Sequence, residues 1–324
     1  MSEQQLALGM DLGGSSIKYG AVGLDGKIEM EGSYALETRS VDEVSDLLGR
    51  IIENVRHRAG HRLIAAGLGS PGLLDRDRRI VRYSPNFPGW YNVPLADIVE
   101  AHLEDLPFAM ENDANLLVYS ETRWGAAVGR RNVIVLTLGT GVGGGVMVEG
   151  RALTGAGGGA AELGFTSVDP NGPDYKVNRG CLEALCNIEG VLRTTTEVYG
   201  SRPGSSYDRD GRHGTVPASP EALGRAAEQG DDLARAVWQR VGTSLGIALA
   251  TFINVFNPEM ILVGGGISGA GNHLLDPARE EAQRRSHVEN FKDVTIRQAG
   301  LGARSGLLGA AALAFDAAGL SAPS

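Results

Sequence analysis

Residues 9–20 read GMDLGGSSIKYG: an apolar run that ends in an acid, then paired glycines, two hydroxyl residues, an isoleucine and a lysine. Glycine lets the backbone come close to a ligand, and a bend of successive N–H groups can bind an anion, so a phosphate loop is one interpretation. A β-hairpin with a glycine-rich turn explains Gly13 and Gly14 equally well without a ligand. The stretch therefore predicts a strand, a tight turn and a second strand, and it leaves the role of the turn open.

A second stretch follows the same plan. Residues 133–151, VIVLTLGTGVGGGVMVEGR, resemble residues 6–27, LALGMDLGGSSIKYGAVGLDGK, in having a strand, a turn of glycine and hydroxyl residues, a second strand and an acid-glycine-basic turn. Such a recurrence indicates two halves built on one plan. The alternative is that any two glycine-rich hairpins look alike.

Between the two hairpins, residues 40–60 carry apolar side chains at helical spacing and end at Gly60, which predicts a helix with a glycine C-cap. Residues 63–75 indicate a buried strand, and residues 108–117 indicate a strand that runs into a helix from about Ala114. The first half therefore has the predicted order βββαβα.

The second half gives a similar pattern. Residues 219–266 predict two helices and a buried strand, with Ser219 as the N-cap and Pro220 at the first helical position. Residues 200–218 are rich in Gly, Ser, Pro and charge, which predicts a mobile loop. Strands that alternate with helices in both halves predict two α/β domains with a cleft between them.

The composition excludes some classes of protein. The chain has 324 residues and 47 glycines, and its length favours two domains at roughly 100–200 residues each. A net charge of −9 argues against a nucleic-acid-binding protein, whose phosphate contacts need clustered Lys and Arg.

The cysteines and the apolar segments indicate a location. Cys181 and Cys186 are the only cysteines, so no disulfide framework is expected and a reducing cytoplasm is predicted. The N-terminal residues lack a basic region followed by an apolar core, and no stretch approaches the ~20 apolar residues of a membrane span. A cytoplasmic protein without membrane attachment is expected.

Phosphoryl transfer needs backbone donors for phosphates, a carboxylate near the metal and a base for the acceptor hydroxyl. Asp11 ends a buried strand, where it can orient hydrated Mg²⁺. The remaining candidates for phosphate contacts lie in the two glycine turns: Gly13, Gly14, Ser15 and Ser16 in the first, and Gly139, Thr140 and Gly141 in the second.

Asp113 follows an apolar strand at a strand-to-helix junction, which suits a catalytic base. The N-cap of the helix that begins near Ala114 is the more common role for an aspartate at such a position. The residues alone leave both roles open.

The order of motifs resembles that of the ROK family of repressors, open reading frames and kinases. The motifs are DLGGSSIK, GLGSPGLLD, SPNFPGW, ENDAN, TLGTGVGGG, AELGF, NRGCLE and NPEMILVGGGI. The resemblance implies a two-domain actin-like ATPase (ribonuclease H-like) fold, an α/β architecture with a cleft between duplicated βββαβα domains. Expected limits are residues 1–117 plus about 303–324 for the smaller domain and 118–302 for the larger.

The resemblance also assigns roles. Asp113 is similar to the family's catalytic base, and Asn112 to the residue that binds an adjacent sugar hydroxyl. Further hydroxyl and nucleotide contacts are implied at other matching positions, namely Glu162, Glu183, Gly72 and Asn86 for the sugar and Gly264, Gly265 and Gly266 for the nucleotide. Lys18 is expected on the second strand near a phosphate, but it is no Walker-type lysine because the GxxxxGK[ST] spacing is absent.

A kinase is therefore expected, with ATP, Mg²⁺ and a hexose as partners and with glucose phosphorylated at its 6-hydroxyl. Fructose, mannose or an N-acetylhexosamine are alternative acceptors, and inorganic polyphosphate is an alternative donor. A sugar-binding regulator without turnover is the alternative from another class. A repressor is disfavoured because family repressors carry a helix-turn-helix module before the first phosphate loop, whereas here that loop begins near Asp11. The family also implies a homodimer.

One segment departs from the family pattern. Many ROK kinases bind a structural Zn²⁺ through a His in a GH dipeptide and three Cys in a CxCGxxGC segment, a closed tetrahedral site. Here the dipeptide is Gly164-Phe165, and Asp174 and Lys176 stand where two of the cysteines would be, so that only Cys181 remains. We therefore expect no zinc, and we expect Phe165 to fill part of the volume with apolar packing.

Overall fold

The computed structural model describes residues 4–176, 178–209 and 212–320. Within these residues the strands are β1 (Leu6–Leu12), β2 (Ser16–Gly23), β3 (Ile28–Ala35), β4 (Leu63–Ser70), β5 (Leu73–Leu74), β6 (Val81–Tyr83), β7 (Tyr91–Val93), β8 (Phe108–Asn112), β9 (Val133–Leu138), β10 (Val142–Val148), β11 (Arg151–Ala152), β12 (Asp174–Tyr175), β13 (Asn178–Arg179), β14 (Ser206–Arg209), β15 (Arg212–Thr215), β16 (Met260–Gly264) and β17 (Thr295–Gln298). The α-helices are α1 (Val41–Ala59), α2 (Leu95–Leu103), α3 (Asp113–Arg123), α4 (Leu182–Cys186), α5 (Ile188–Tyr199), α6 (Pro220–Glu228), α7 (Asp232–Phe256), α8 (Asn272–Arg285), α9 (Val288–Lys292) and α10 (Ser305–Ala317).

Two five-stranded sheets share one strand order, β3-β2-β1-β4-β8 in the first and β11-β10-β9-β16-β17 in the second. In the first sheet β1 pairs in parallel with β4 and β4 with β8, as β9 pairs with β16 and β16 with β17 in the second. The predicted duplication and the α/β class are therefore confirmed.

The opening stretch forms the antiparallel hairpin of β1 and β2, in which Asp11 lies opposite Lys18. Side chains alternate across β1: Leu8 and Met10 belong to the core cluster that includes residues of α1, and Ala7 belongs to the cluster that includes residues of α10. A strand that is buried on both faces reads as a continuous apolar run, as residues 6–12 do.

Small residues bring α10 close to this sheet. A Cβ atom at Gly9 would lie 2.2 Å from the carbonyl oxygen of Leu307, and one at Gly67 would lie 2.0 Å from that of Ala310. Glycine at these positions therefore permits backbone-to-backbone packing of a helix on β1 and β4.

Two predicted capping residues, Gly60 and Ser219, lie at helix boundaries. The Ser40 side chain accepts a hydrogen bond from the Glu43 N–H at the start of α1, and Gly60 ends that helix with φ 58°. At α6, Ser219 accepts from the Ala222 N–H at 3.2 Å. The predicted helix ends at Gly60 and Ser219 are confirmed. The Ser40 and Ser219 side chains accept from N–H groups that a helix leaves without internal partners.

The segment at residues 200–218 differs from the prediction of a loop. It contains the hairpin of β14 and β15, whose Tyr207 hydroxyl donates to the Asp231 carboxylate at 3.0 Å. Tyr199 donates to the same oxygen at 2.9 Å. Composition alone did not indicate the hairpin because its anchor is the N-cap residue of α7, which follows the segment in the chain.

The chain divides into two compact units. The first consists of Met1–Arg131, Gly145–Ala161 and Gly300–Ser324, and the second consists of Asn132–Gly144 and Glu162–Ala299. The sequence-based domain limits of 1–117 plus 303–324 and of 118–302 stay a prediction. The first compact unit differs from them in that it includes the whole of α3, which ends at Arg123. In the described part of the chain, no helix combines the length and apolar character that crossing a bilayer requires.

Candidate active site

The first glycine turn connects β1 to β2. The Gly13 N–H donates to the Ser16 carbonyl and the Leu36 N–H to the Ser15 carbonyl, both at 2.9 Å. Gly14 has no left-handed φ, and a Cβ atom there would find its nearest neighbour, the Asn86 Cβ, at 3.8 Å. The fold itself therefore has room for a side chain at position 14. An open backbone face of this kind is what a phosphate loop needs.

Asp11 lies at the end of β1, next to this turn and to the first residues of α10. A Cβ atom at Gly306 would lie 2.4 Å from an oxygen of the Asp11 carboxylate. Burial raises the pKa of Asp11, and the positive charge of Lys18 opposes that rise. A cation beside Asp11 would favour its ionised form.

The second glycine turn connects β9 to β10. The Gly139 N–H donates to the Gly141 carbonyl, and the Gly139 carbonyl accepts from the Ile188 N–H, both at 2.9 Å. Among the described residues other than its two neighbours in the chain, none has an atom within 4 Å of a Cβ built at Gly139, whereas a Cβ at Gly141 would lie 2.8 Å from the Glu183 carboxylate. Thr140 between them is exposed. Gly139 is thus open to a ligand, and Gly141 is needed for the approach of Glu183.

The junction of β8 and α3 presents the Asn112–Asp113 pair. The Asn112 side chain is the N-cap: its oxygen accepts from the Ala114 N–H at 3.0 Å, and its amide donates to the Gly72 carbonyl at 3.0 Å. Asp113 is the first helical residue and also accepts from the Ala114 N–H, at 2.9 Å. The N-cap position therefore belongs to Asn112, and Asp113, which shares the Ala114 N–H, begins the helix.

Gly72 and Asn86 lie in the same unit as this junction. Gly72 has φ 97°, and a Cβ atom there would lie 2.4 Å from the Tyr83 carbonyl, so the turn itself requires glycine. Asn86 is exposed, next to Gly14, and its carbonyl accepts from Arg39 at 3.4 Å.

Glu183 in α4 is buried and fully paired. Its carboxylate accepts from the Val142 N–H at 2.8 Å and from the Lys176 ammonium at 2.6 Å. Burial alone would raise the pKa of Glu183, but the hydrogen bonds from Lys176, Val142 and Tyr175 outweigh it and lower the pKa. The carboxylate is therefore held in its ionised form.

Glu162 precedes the short 3₁₀ helix Leu163–Phe165. Partial desolvation and the like charge of Glu183 raise the pKa of Glu162, while the charge of Lys176 lowers it. Since these charges act on one another within the second unit, the two predicted sugar-binding carboxylates belong to one electrostatic cluster with Lys176.

Gly264, Gly265 and Gly266 end β16. Gly265 has φ 83°, and a Cβ atom there would lie 2.2 Å from the Leu138 carbonyl, so the turn requires glycine at this position. The nearest atom to a Cβ at Gly266 is a Glu221 carboxylate oxygen at 3.6 Å. Gly266 is exposed and leaves room for a ligand, while Gly265 serves the fold.

The segment that departs from the zinc pattern carries ion pairs instead. Asp174 accepts from Arg179 at 2.7 Å, and the Lys176 ammonium lies 5.7 Å from the centre of the Phe165 ring. Cys181 is fully buried at the start of α4. The predicted apolar packing of Phe165 is incomplete, because one of its neighbours is a charged ammonium group.

The predicted residues fall into two groups. The first unit holds the residues of the first glycine turn and its neighbours, Asp11, Gly13, Gly14, Ser15, Ser16, Lys18, Gly72, Asn86, Asn112 and Asp113. The second unit holds Gly139, Thr140, Gly141, Glu162, Glu183, Gly264, Gly265 and Gly266. As predicted, Lys18 lies on the second strand of its hairpin.

Three residues around the site were not predicted. The sequence indicates Lys176 only as a residue at a zinc-ligand position, and it gives no indication that Arg78 pairs with Glu111. No local pattern indicates either pair, because the partners come from separate elements.

Comparison with known proteins identifies the family, since the ROK family model matches residues 7–317. The chain belongs to the ROK family. A glucokinase of Thermotoga maritima is 41% identical over 281 residues, which cover 85% of this chain and 86% of that protein.

Solved ROK structures have the same fold. A ROK family glucokinase from Streptomyces griseus, in complex with glucose and AMPPNP, is 31% identical with a TM-score of 0.74 and covers 96% of this chain and 99% of that one. A ROK hexokinase from Thermus thermophilus is 31% identical with a TM-score of 0.78 and covers 96% and 98%. This ROK chain therefore has the actin-like ATPase fold of the family's sugar kinases.

Proposed function

We propose that this chain is an ATP-dependent hexose kinase that transfers the γ-phosphoryl group of ATP to the 6-hydroxyl of glucose. The observation that carries the proposal is the junction of β8 and α3, where Asn112 occupies the N-cap position and Asp113 follows as the first helical residue. The names of the similar proteins support the reaction, since they are glucokinases and a hexokinase, one of them in complex with glucose and AMPPNP.

Asp113 is the general base in this proposal. Its carboxylate accepts the proton of the attacking hydroxyl, while the Asn112 amide binds a neighbouring hydroxyl, together with Gly72 and Asn86. Glu162 and Glu183 accept hydrogen bonds from further sugar hydroxyls. The lowered pKa of Glu183 supports this role, because an ionised carboxylate is the stronger acceptor.

The two glycine turns are proposed to bind the phosphates of ATP. Gly14 and Gly139 support this, since neither has a left-handed φ and both have room at the Cβ position for a ligand to approach the backbone. Gly13, Ser15, Ser16, Thr140 and Gly141 belong to the same turns. The family resemblance supports the proposal that Lys18 and Gly264–Gly266 lie near the nucleotide.

Asp11 is the proposed partner of Mg²⁺. Within the described residues its carboxylate accepts no hydrogen bond, and its raised pKa reflects burial without full compensation. When bound with ATP, Mg²⁺ neutralises developing charge on the phosphates.

We further propose that no structural zinc is bound, that the chain forms a homodimer in the cytoplasm, and that it does not bind nucleic acid. The Asp174–Arg179 and Lys176–Glu183 ion pairs support the first point, because they use side chains at positions where a zinc site would need thiolates. Elemental analysis of protein purified without added metal is expected to find no zinc.

The function is tested by ADP release over a panel of hexoses, with ATP or polyphosphate as donor. We expect glucose to be the best acceptor and Asp113→Asn to lower turnover by about 10²–10⁴-fold, because the amide cannot take the proton. Glucose binding and the thermal midpoint should remain near the wild-type values.

Different outcomes decide between the alternatives. Faster turnover with mannose, fructose or an N-acetylhexosamine would reassign the substrate, and sugar binding without turnover on any hexose would favour a non-catalytic regulator. Wild-type turnover in Asp113→Asn would remove Asp113 from the chemistry.

A further inference from the structure

Arg78 is a charged residue in an unusual place. It belongs to the run RDRR at residues 76–79, which by composition would be a solvated turn, yet only 13% of its side chain is exposed. Its φ of 57° is left-handed, a conformation that residues other than glycine seldom adopt. The backbone is therefore set so that this side chain points inward.

The turn is held by Asp75. The Asp75 carboxylate accepts from the Arg79 N–H at 2.7 Å and from the Ile80 N–H at 2.9 Å, and the Asp75 carbonyl accepts from the Arg78 N–H at 3.2 Å. These bonds maintain the left-handed residue, so the direction of the Arg78 side chain is built into the turn.

The inward side chain pairs with Glu111, the residue before Asn112. The Arg78 Nε lies 3.1 Å and 3.2 Å from the two oxygens of Glu111, which is only 3% exposed. A buried carboxylate without a paired cation is strongly unfavourable, so Glu111 depends on Arg78.

Glu111 in turn holds the start of α3. Its carboxylate accepts from the Asn112 N–H at 2.7 Å and from the Asn115 side chain at 3.1 Å. These two donors flank Asp113 in the chain. The orientation of the first helical turn, and with it the Asp113 carboxylate, therefore depends on where Glu111 is held.

Arg78 has a second partner in the glycine-rich segment 155–159. Its Nη1 donates to the Gly158 carbonyl at 2.8 Å, and a Cβ at Gly158 would lie 2.5 Å from the Leu74 carbonyl. The buried Nη2 has no hydrogen-bond partner among the described residues. One guanidinium thus ties this segment to the junction that carries Asp113.

We propose that Arg78 is a positioning residue for phosphoryl transfer, which sets the Asp113 carboxylate through Glu111 and holds residues 155–159 through the Gly158 carbonyl. The inference rests on the proposed function, in which Asp113 is the base. Arg78 does not itself need to touch either substrate.

The experiment compares steady-state kinetics with glucose and ATP for Arg78→Met, Arg78→Lys and Arg76→Met. Arg76→Met is the matched control, since Arg76 is exposed in the same turn and its replacement removes the same charge. We expect Arg78→Met to lower kcat by about 10–10²-fold, as a small misplacement of a reacting group does, with the KM for ATP changed by less than about twofold. Arg78→Lys should recover part of kcat, because its ammonium can pair with Glu111 but cannot also reach Gly158.

Arg78→Met leaves Glu111 unpaired and can fail to fold. The double variant Arg78→Met/Glu111→Gln removes the buried charge, and it is compared with Glu111→Gln alone at a temperature where both are folded by circular dichroism. Because Arg78 acts through Glu111, the loss of kcat caused by Arg78→Met should be smaller in the Glu111→Gln background than in the wild type.

Two results would overturn the inference: a wild-type kcat in the folded Arg78 variants, or strictly additive losses from the two sites. Wild-type protein and Asp113→Asn are run in the same assay. If the wild type transfers no phosphate or Asp113→Asn is fully active, the proposed function or its base is wrong; if both behave as expected, only the role of Arg78 is at issue.

Discussion

Lys176 illustrates how one residue can change the electrostatics of a site. Its ammonium is 2.6 Å from Glu183 and 4.9 Å from the centre of the Tyr175 ring, and the hydrogen bond to Glu183 raises the pKa of Lys176. With φ 49° its backbone is left-handed, so the hairpin of β12 and β13 turns the side chain back toward α4. The positive charge beside the two proposed sugar-binding carboxylates is thus the Lys176 ammonium group.

Replacement of Lys176 by Met should weaken glucose binding in a pH-dependent way. Without the ammonium the pKa of Glu183 rises and its carboxylate is less firmly held, so we expect the KM for glucose to increase about tenfold, equivalent to about 1.4 kcal/mol. The effect on kcat should be smaller. Steady-state kinetics with varied glucose measures both.

The stability contributed by the Lys176–Glu183 ion pair should depend on pH in a defined direction. The folded pKa of Glu183 is lowered, so its ionised form contributes stability that is present above the carboxyl's ordinary pKa and is lost as the pH falls through the folded value. The thermal midpoint of Lys176→Met should lie below that of the wild type at neutral pH, and this difference should disappear at acidic pH. Lys292→Met, which removes an exposed pair with Glu289, is the control and should show little difference at any pH.

At the scale of elements, two hairpins of the same form carry turns with different constraints. Among the described residues, apart from its chain neighbours, none lies within 4 Å of a Cβ position at Gly139, while a Cβ at Gly141 would lie 2.8 Å from the Glu183 carboxylate. In the first hairpin, Gly14 is open in the same way as Gly139. Each turn therefore contains one glycine at which the fold has room for a side chain.

Gly139→Ala separates the hairpin role of the turn from its phosphate role. Because the fold accommodates a methyl group there, the thermal midpoint should stay the same or rise slightly, as expected when a glycine with a compatible backbone is replaced. We expect kcat/KM for ATP to fall by about tenfold, while glucose affinity without nucleotide, measured by calorimetry, stays unchanged. Wild-type kinetics with ATP would identify the turn as a hairpin only.

At the scale of the whole molecule, the end of the chain completes the first unit. Helix α10 packs against β1 and β4 through Gly9 and Gly67, and a Cβ atom at Gly309 would lie 2.1 Å from the carbonyl oxygen of Leu116 in α3. The large number of glycines in the composition is thus partly a packing requirement of this unit.

Gly67→Ala should destabilise the protein, because its Cβ would overlap the Ala310 carbonyl and neither backbone can yield without moving a strand or a helix. We expect a loss of about 1–3 kcal/mol in the free energy of unfolding, typical of overpacking. Gly157→Ala, with no neighbour within 4 Å and no left-handed φ, is the comparison and should be nearly neutral in thermal unfolding. Equal midpoints for the two variants would contradict this account of α10.

Local patterns in the sequence indicated the two glycine-turn hairpins and helices α1 and α6, but not the hairpin of β14 and β15. The caps at Gly60 and Ser219 and the repeated glycine turns depend on residues close together in the chain, and each is present in the structure. The α/β class and the duplication follow from these alone, because a hairpin or a helix end is specified by neighbouring residues.

The partners of each charged group were decided only by the tertiary structure. That Lys176 pairs with Glu183 and that Arg78 reaches Glu111 depends on which elements pack together. Local composition describes Arg78 as part of a solvated run of charges, and only a turn held by Asp75 directs it inward. Ion pairs and hydrogen bonds join residues that are distant in sequence, so no periodicity records them.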